Sequence, residues 1–243
     1  MPAIRTSGLT KQFKKRTAVD SLDLSIEQGE LFALLGLNGA GKTTTIRMLC
    51  CVLPPTSGDA TLLGNSIITQ PTAVKQKINV SPQETAVAPN LSVQENLELI
   101  ARIYGIDKSE ARTKANETMR AFGLFDRSKD KAKILSGGMQ RRLSIAMGLI
   151  TEPEIIFLDE PTLGLDVVSR RELWKIMSGL KGKITMVLTT HYLEEAEALS
   201  DRIGIMHEGR LRALGTAEQL KQETGRTSFE DAFLALTEPE ALL

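Results

Sequence analysis

A glycine-rich run at residues 36–43, GLNGAGKT, has the composition of a phosphate-binding loop and fits G-x-x-x-x-G-K-[S/T]. A triphosphate needs several backbone N–H donors close together, and only glycine lets a backbone wrap that tightly. Lys42 offers a mobile charge to the β and γ phosphates, and Thr43 offers a hydroxyl to Mg²⁺. The alternative is a glycine-rich turn with a surface lysine. The residues predicted to bind the triphosphate here are Gly36, Leu37, Asn38, Gly39, Ala40, Gly41, Lys42, Thr43 and Thr44.

The segments on both sides of this loop support the prediction. Residues 31–35, LFALL, are typical of a buried strand. The spacing of Ile46, Leu49 and Leu53 predicts a helix that Pro54 ends. Such a helix would point its positive N-terminal end at the phosphates. Cys50 would face the core as a small packing residue rather than a reactive thiol.

An acidic pair, Asp159 and Glu160, follows a second buried strand at residues 155–158. This strand is apolar without alternation, as expected for a parallel strand covered on both faces. Ligands bind at the carboxyl ends of such strands. We therefore expect Asp159 to hold Mg²⁺ through its waters and Glu160 to polarise the water that attacks the γ-phosphate. The alternative is an acidic turn at a strand end.

The order of elements predicts an α/β protein with a parallel sheet. A strand, a helix and a strand are followed by a mostly helical stretch, and strands return with residues 155–158 and 184–189. The sequence after them predicts a hairpin, and Thr216 opens a capping-box pattern before two short helices. The expected divisions are a core over about 1–83 and 151–215, a helical subdomain over about 84–150, and a C-terminal extension over 216–243.

Charge and composition narrow the class of protein. The chain has 243 residues, with 30 Lys and Arg balanced by 30 Asp and Glu. This balance argues against a protein held to nucleic acid or anionic lipid by bulk electrostatics. No stretch approaches the ~18 apolar residues of a membrane-spanning helix. If the protein works at a membrane, another chain must hold it there.

The motif at residues 135–140, LSGGMQ, lies between the two nucleotide motifs and resembles the signature of ABC transporter ATPases. The resemblance covers nearly all of the chain. It implies a P-loop NTPase core, with a mostly parallel sheet flanked by helices, an N-terminal antiparallel β subdomain and an inserted α-helical subdomain. Without its context, Ser136-Gly137-Gly138 is equally typical of a capped helix start.

The resemblance also implies how the signature works. In the family, the signature of one subunit closes over the γ-phosphate bound by another. Ser136, Gly137 and Gly138 would then bind ATP across the interface, at a helix N-terminus. Two copies of the chain would hold ATP between them, head to tail.

Four further residues match family positions. Phe13 falls where the family stacks an aromatic ring on adenine, although it could be a core residue. Gln83 resembles the glutamine that reaches Mg²⁺ and the attacking water, although it could be an ordinary loop residue. Asp166 resembles a dimer-contact residue and is equally placed to cap the helix that follows. His191 resembles the switch histidine that bonds the γ-phosphate, although a lone histidine is more often structural. The expected catalytic set is Glu160, His191, Lys42 and Gln83, and the expected metal set is Thr43, Gln83 and Asp159.

The sequence departs from the commonest family pattern at three positions. Met139 replaces the usual glutamine of the signature, Phe13 stands in place of tyrosine, and Leu163 occupies a position often held by serine. None of these changes removes a phosphate or metal ligand. The role of the side chain at position 139 stays open.

The function implied by the resemblance is an ATPase that uses ATP and Mg²⁺ and drives export through separate membrane permease subunits. It would lie on the cytoplasmic face of the membrane and bind no nucleic acid. About 28 residues follow Gly215, fewer than the regulatory domain of carbohydrate importers needs. The alternatives are the ATPase of an importer, a soluble ABC ATPase acting on nucleic acid or ribosomes, and a regulator that does not hydrolyse ATP. Glu160 and His191 argue against the last.

Overall fold

The computed structural model describes residues 1–237, which form two β-sheets and the helices around them. The strands are β1 (Ile4–Phe13), β2 (Arg16–Leu22), β3 (Ser25–Ile26), β4 (Leu31–Leu35), β5 (Ser57–Leu62), β6 (Asn65–Ser66), β7 (Ile78–Ser81), β8 (Ile155–Asp159), β9 (Thr185–Thr190), β10 (Arg202–His207) and β11 (Arg210–Gly215). The helices are α1 (Lys42–Leu49), α2 (Pro71–Lys77), α3 (Val93–Ile103), α4 (Lys108–Ala121), α5 (Gly137–Leu149), α6 (Val167–Ser178), α7 (Leu193–Leu199), α8 (Ala217–Thr224) and α9 (Phe229–Thr237).

The larger sheet has six strands in the order β11-β10-β4-β9-β8-β7, all parallel except β11. Strands β4, β8 and β9 are buried along their whole length, as expected for parallel strands covered on both faces. In β4, Leu31, Ala33 and Leu35 face one core cluster, and Phe32 and Leu34 face the other. The parallel α/β sheet predicted from the order of elements is confirmed.

The smaller sheet is antiparallel and is built from the N-terminal strands in the order β2-β1-β5-β6, with β3 also paired to β1. It matches the antiparallel subdomain that the resemblance implied. Its β1–β2 hairpin carries Phe13 at the end of β1. This hairpin forms one wall of the cleft described below.

The stretch between β7 and β8 is helical, as expected. On α3, Val93, Leu97 and Ala101 are fully buried, and Ser92 forms a capping box with Glu95. The charged residues of α4 lie mostly on its exposed face. Helix α5 packs on α3, on β7 and β8, and on α6, so it connects the helical stretch to the strands that end at the cleft.

The C-terminal part also follows the prediction. Strands β10 and β11 form the expected hairpin, and Thr216 begins α8 with a capping box to Gln219. Helix α9 reaches Thr237, and residues 238–243 of the predicted extension lie outside the described residues. None of the helices over residues 1–237 combines the length and apolar character needed to cross a bilayer.

One boundary prediction is wrong. Helix α1 ends at Leu49, so Pro54 does not end it and Leu53 is not on it. Cys51 takes a left-handed conformation with φ 54°, and the amides of Val52 and Leu53 both donate to the Arg47 carbonyl. Cys50 is 4% exposed, and burial raises the pKa of its thiol, which fits the predicted packing role.

Candidate functional site

A cleft of about 610 Å³ opens where the carboxyl ends of β4, β8 and β9 meet the β1–β2 hairpin. Ligands of open parallel sheets bind at this edge. Most residues of the two predicted nucleotide motifs lie around it. Its lining residues are Phe13, Arg16, Ala18, Leu37, Asn38, Gly39, Ala40, Gly41, Lys42, Thr43, Thr44, Gln83, Glu160, Leu163 and His191.

The glycine loop joins β4 to α1 and forms the floor of the cleft. Gly41 has φ 107°, and a Cβ added there would lie 2.5 Å from the Ala18 carbonyl oxygen, so only glycine fits this position. Gly41 is also the N-cap of α1, and no side chain within residues 1–237 caps this helix. The amides of its first turn and its positive dipole end are therefore available to an anion.

The Lys42 ammonium is held at the edge of this floor. Its Nζ donates to the carbonyl of Gly36 at 2.7 Å and to that of Leu37 at 3.4 Å, and it lies 3.6 Å from Glu160 Oε1. Lys42 is 6% exposed, and burial lowers the pKa of its amine while the Glu160 carboxylate opposes that shift. A phosphate entering the cleft can replace these carbonyls as the acceptor.

Asp159 lies below the cleft at the end of β8. Its Oδ1 accepts from Thr43 Oγ1 at 3.3 Å and from Thr189 Oγ1 at 2.5 Å. A hydroxyl and a carboxylate that converge next to a phosphate loop suit Mg²⁺, which usually takes only one or two protein ligands beside substrate phosphates. No cluster of three or more His, Cys, Asp or Glu that could hold a metal occurs within residues 1–237. The Thr43 hydroxyl and the Asp159 carboxylate are donor types that Mg²⁺ accepts beside the phosphates of a nucleotide.

Glu160 projects from a strained turn directly after Asp159. Its φ is 48°, a left-handed conformation that costs on the order of 1–3 kcal/mol for a residue other than glycine. Its amide donates to the Thr189 carbonyl and to Thr189 Oγ1, both at 3.1 Å. Its carboxylate lies between Lys42 and His191, with Oε2 2.9 Å from His191 Nδ1. These contacts aim a buried carboxylate into the cleft.

Thr189, whose hydroxyl contacts both members of the acidic pair, was not predicted from the sequence. Thr189 pairs in parallel register with Asp159 across β8 and β9. The hydroxyl residues that precede His191 were the available signal. Arg16 was also missed: its guanidinium lies on the cleft rim, 3.4 Å from the Gly39 carbonyl oxygen.

The rim carries Phe13 and Gln83 from two different elements. Phe13 ends β1 and is 46% exposed, so it is not a core residue. Gln83 is exposed on the loop after β7. Both face the same cleft as the glycine loop.

The signature residues and Asp166 do not line this cleft; they form a second surface. Ser136 caps α5, where its Oγ accepts from the Met139 amide, and Asp166 caps α6. A Cβ added at Gly138 would lie 2.5 Å from Ser169 Oγ, which itself donates to Asp166 at 2.7 Å. Two helix N-termini therefore lie side by side, away from the chain's own phosphate loop.

The glycine loop, the helix behind it and the acidic pair on a parallel strand define the chain as a P-loop nucleoside triphosphatase. A family model for ABC transporters matches residues 19–163, more than half of the chain. The chain therefore belongs to the ABC transporter family. It is an ATP-binding and ATP-hydrolysing subunit.

Relatives and solved structures agree with this assignment. The chain is 43% identical over 224 residues to the daunorubicin/doxorubicin resistance ATP-binding protein of Streptomyces peucetius, covering 92% of this chain and 68% of the relative. It is 40% identical to the linearmycin resistance ATP-binding protein of Bacillus subtilis, covering 91% and 72%.

Among solved structures, the ATP-binding subunit of an ABC transporter superposes with TM-score 0.85 at 28% identity, covering 96% of this chain and 99% of that one. A dimeric ATP-binding cassette in a post-hydrolysis state with ADP and Pi superposes with TM-score 0.79 at 26% identity, covering 88% and 98%. Both support the P-loop ATPase fold.

Proposed function

We propose that this chain is the motor subunit of an exporter of drug-like molecules, working on the cytoplasmic face of the membrane with separate permease subunits. The observation that carries the proposal is its similarity, over 92% of its length, to an ATP-binding protein of daunorubicin and doxorubicin resistance. The cleft supports the ATPase part of the proposal, because the phosphate loop, Glu160 and His191 line it together.

Two copies of the chain, assembled head to tail, complete the proposed ATP site. Ser136, Gly137, Gly138 and Asp166 lie outside the cleft of their own chain, although the amides at the start of α5 suit a phosphate. In a head-to-tail dimer they cover the γ-phosphate in the partner's cleft. A structural relative is also dimeric, which supports a homodimer.

The proposed hydrolysis uses groups that the structure brings close together. Thr43, Asp159 and Gln83 would hold Mg²⁺, which neutralises charge on the β and γ phosphates when it is bound. Lys42 leaves its carbonyl acceptors and binds the β and γ phosphates. Glu160 accepts a hydrogen bond from the attacking water, and His191 holds the γ-phosphate and the Glu160 carboxylate together. ATP and water yield ADP and phosphate, and the dimer opens.

The proposed contact with the permease is the segment 84–91, which follows Gln83 and leads to α3. It lies at the border between the proposed core (1–83 and 151–215) and helical subdomain (84–150). Glu84, Thr85 and Ala86 are all exposed. Because this segment directly follows Gln83, movement of Gln83 toward a γ-phosphate would also move this exposed surface.

Crosslinking tests this contact. A photoreactive residue in place of Thr85 is expected to capture a copurifying membrane protein, because this segment is exposed beside the cleft. The matched control is the same residue in place of Glu223, exposed on α8. Mass spectrometry identifies the adducts. Adducts formed only from position 223 would contradict the proposal.

Phe13 provides a test of adenine stacking. Phe13→Ala is expected to weaken ATP binding by about 1–3 kcal/mol, or roughly 5- to 150-fold, because a base loses its aromatic platform. Phe13→Tyr keeps the ring and should bind within about threefold of wild type. Equilibrium binding of a fluorescent ATP analogue measures both. Unchanged affinity in Phe13→Ala would show that the exposed ring has another role.

A further inference from the structure

Arg141 is a buried cation that the proposed mechanism does not use. It lies on α5, one turn beyond Gly138, and is 3% exposed. Within residues 1–237, all of its hydrogen bonds go to backbone carbonyls from two other parts of the chain. Nε donates to Pro161 O at 2.8 Å, Nη2 to Asp159 O at 2.9 Å, and Nη1 to Gln83 O at 3.3 Å and to Pro82 O.

These carbonyls lie where two neighbouring strands stop pairing. Strands β7 and β8 are parallel, and their last paired residues are Ser81 and Leu158. Beyond that point, Pro82 and Pro161 have no N–H and cannot continue the ladder. Arg141 supplies the missing donors, because its planar guanidinium carries five N–H groups in a fixed fork.

Helix α5, which carries Arg141, is also fixed to β7. One turn further along α5, Ser144 Oγ lies 3.3 Å from Ser81 Oγ, and both hydroxyls are buried. Among the described residues, Arg141 has no carboxylate within ion-pair distance, so the carbonyls are its direct acceptors. Burial lowers the pKa of Arg141 to about 10, and Asp159, Glu195 and Glu160 oppose that shift, so the guanidinium is charged at neutral pH.

We propose that Arg141 is a positioning residue for ATP hydrolysis. It fixes the backbone at Pro82 and Gln83 to the backbone on both sides of Glu160, so that the Gln83 and Glu160 side chains contact the same water. The inference rests on the ATPase function and goes beyond it. Neither the phosphate loop nor Phe13 depends on these bonds, so Arg141 should affect the chemical step far more than nucleotide affinity. A displacement of about 1 Å at a reacting group can lower a rate by roughly 10²-fold.

Steady-state phosphate release and equilibrium ATP binding, measured on the full chain, separate these effects. Arg141→Gln is expected to lower kcat by roughly 10- to 100-fold with the Kd for ATP within about threefold. Arg141→Lys keeps the charge but cannot reach both strand ends, and we expect roughly a tenfold loss of kcat. Wild-type turnover is measured in the same series, so failure of the ATPase function would appear in the wild-type protein, and failure of this inference only in the variants.

Arg202→Gln is the matched control for general destabilisation. Arg202 also donates to a carbonyl, that of Ser25 at 2.7 Å, and pairs with Glu30 at 2.7 Å, but it lies at the amino end of β10, away from the cleft. It should lose thermal stability and keep kcat within about twofold. If Arg141→Gln does not fold, Arg141→Lys provides the comparison. Wild-type kcat in either folded Arg141 variant would overturn the proposal.

A double-mutant cycle with Gln83→Ala distinguishes positioning from a loss of fold. If Arg141 acts by placing Gln83, its removal should lower kcat by at most about threefold once the Gln83 side chain is absent. A merely structural role would lower kcat by the same factor in both backgrounds. Fully multiplicative losses would therefore contradict the inference.

Discussion

Replacing Glu160 with glutamine is expected to lower kcat for ATP hydrolysis by about 10²- to 10⁴-fold while ATP still binds. Glutamine keeps the size of the side chain but removes the basic oxygen that would accept a proton from water. Affinity for ATP should not fall, because Glu160 lies 3.6 Å from Lys42 and competes with phosphate for that ammonium. The variant should therefore accumulate as an ATP-bound dimer.

Phosphate release under saturating Mg-ATP measures turnover, and size-exclusion chromatography with ATP measures the dimer. Glu152→Gln is a matched control: Glu152 also has a left-handed backbone, with φ 53°, but its exposed side chain pairs with Lys114. This control should hydrolyse ATP at the wild-type rate. A Glu160→Gln protein with wild-type turnover would remove Glu160 from its proposed role.

Replacing Lys42 with methionine is expected to weaken ATP binding by about 10²- to 10⁴-fold. Charge-assisted hydrogen bonds contribute roughly 1.5–3 kcal/mol each, and Lys42 is placed to make one to each of two phosphates. The protein should still fold, because methionine occupies similar space and burial already disfavours the charged amine.

Isothermal titration with a non-hydrolysable ATP analogue measures this loss. Lys75→Met, on the exposed face of α2, removes a lysine away from the cleft and should leave the affinity unchanged. If Lys42→Met bound the analogue within about threefold of wild type, the glycine loop would not be the phosphate site.

The parts of the fold that follow from local sequence were predictable. Continuous apolar runs indicated the parallel strands, and the strands with the glycine loop placed Lys42 and Asp159 at one sheet edge. The end of α1 was not predictable, because a left-handed cysteine at position 51 stands where glycine is the usual signal.

Contacts between segments distant in the chain also could not be predicted from the sequence. Thr189 contacts Asp159 across 30 positions and Arg141 reaches it across 18. No local pattern marks such pairs, since strand register and helix packing alone bring them together. That Phe13 is exposed beside the cleft rather than buried depends in the same way on how the β1–β2 hairpin docks.

The left-handed backbone at Glu160 sets two selective pressures against each other. Of the seven non-glycine residues with positive φ in residues 1–237, Glu160 alone lines the cleft. Glycine at this position would relieve the backbone and at the same time delete the carboxylate. Engineering for thermal stability, guided by backbone geometry alone, would thus select Glu160→Gly. That variant would be more stable but could not complete the ATPase cycle.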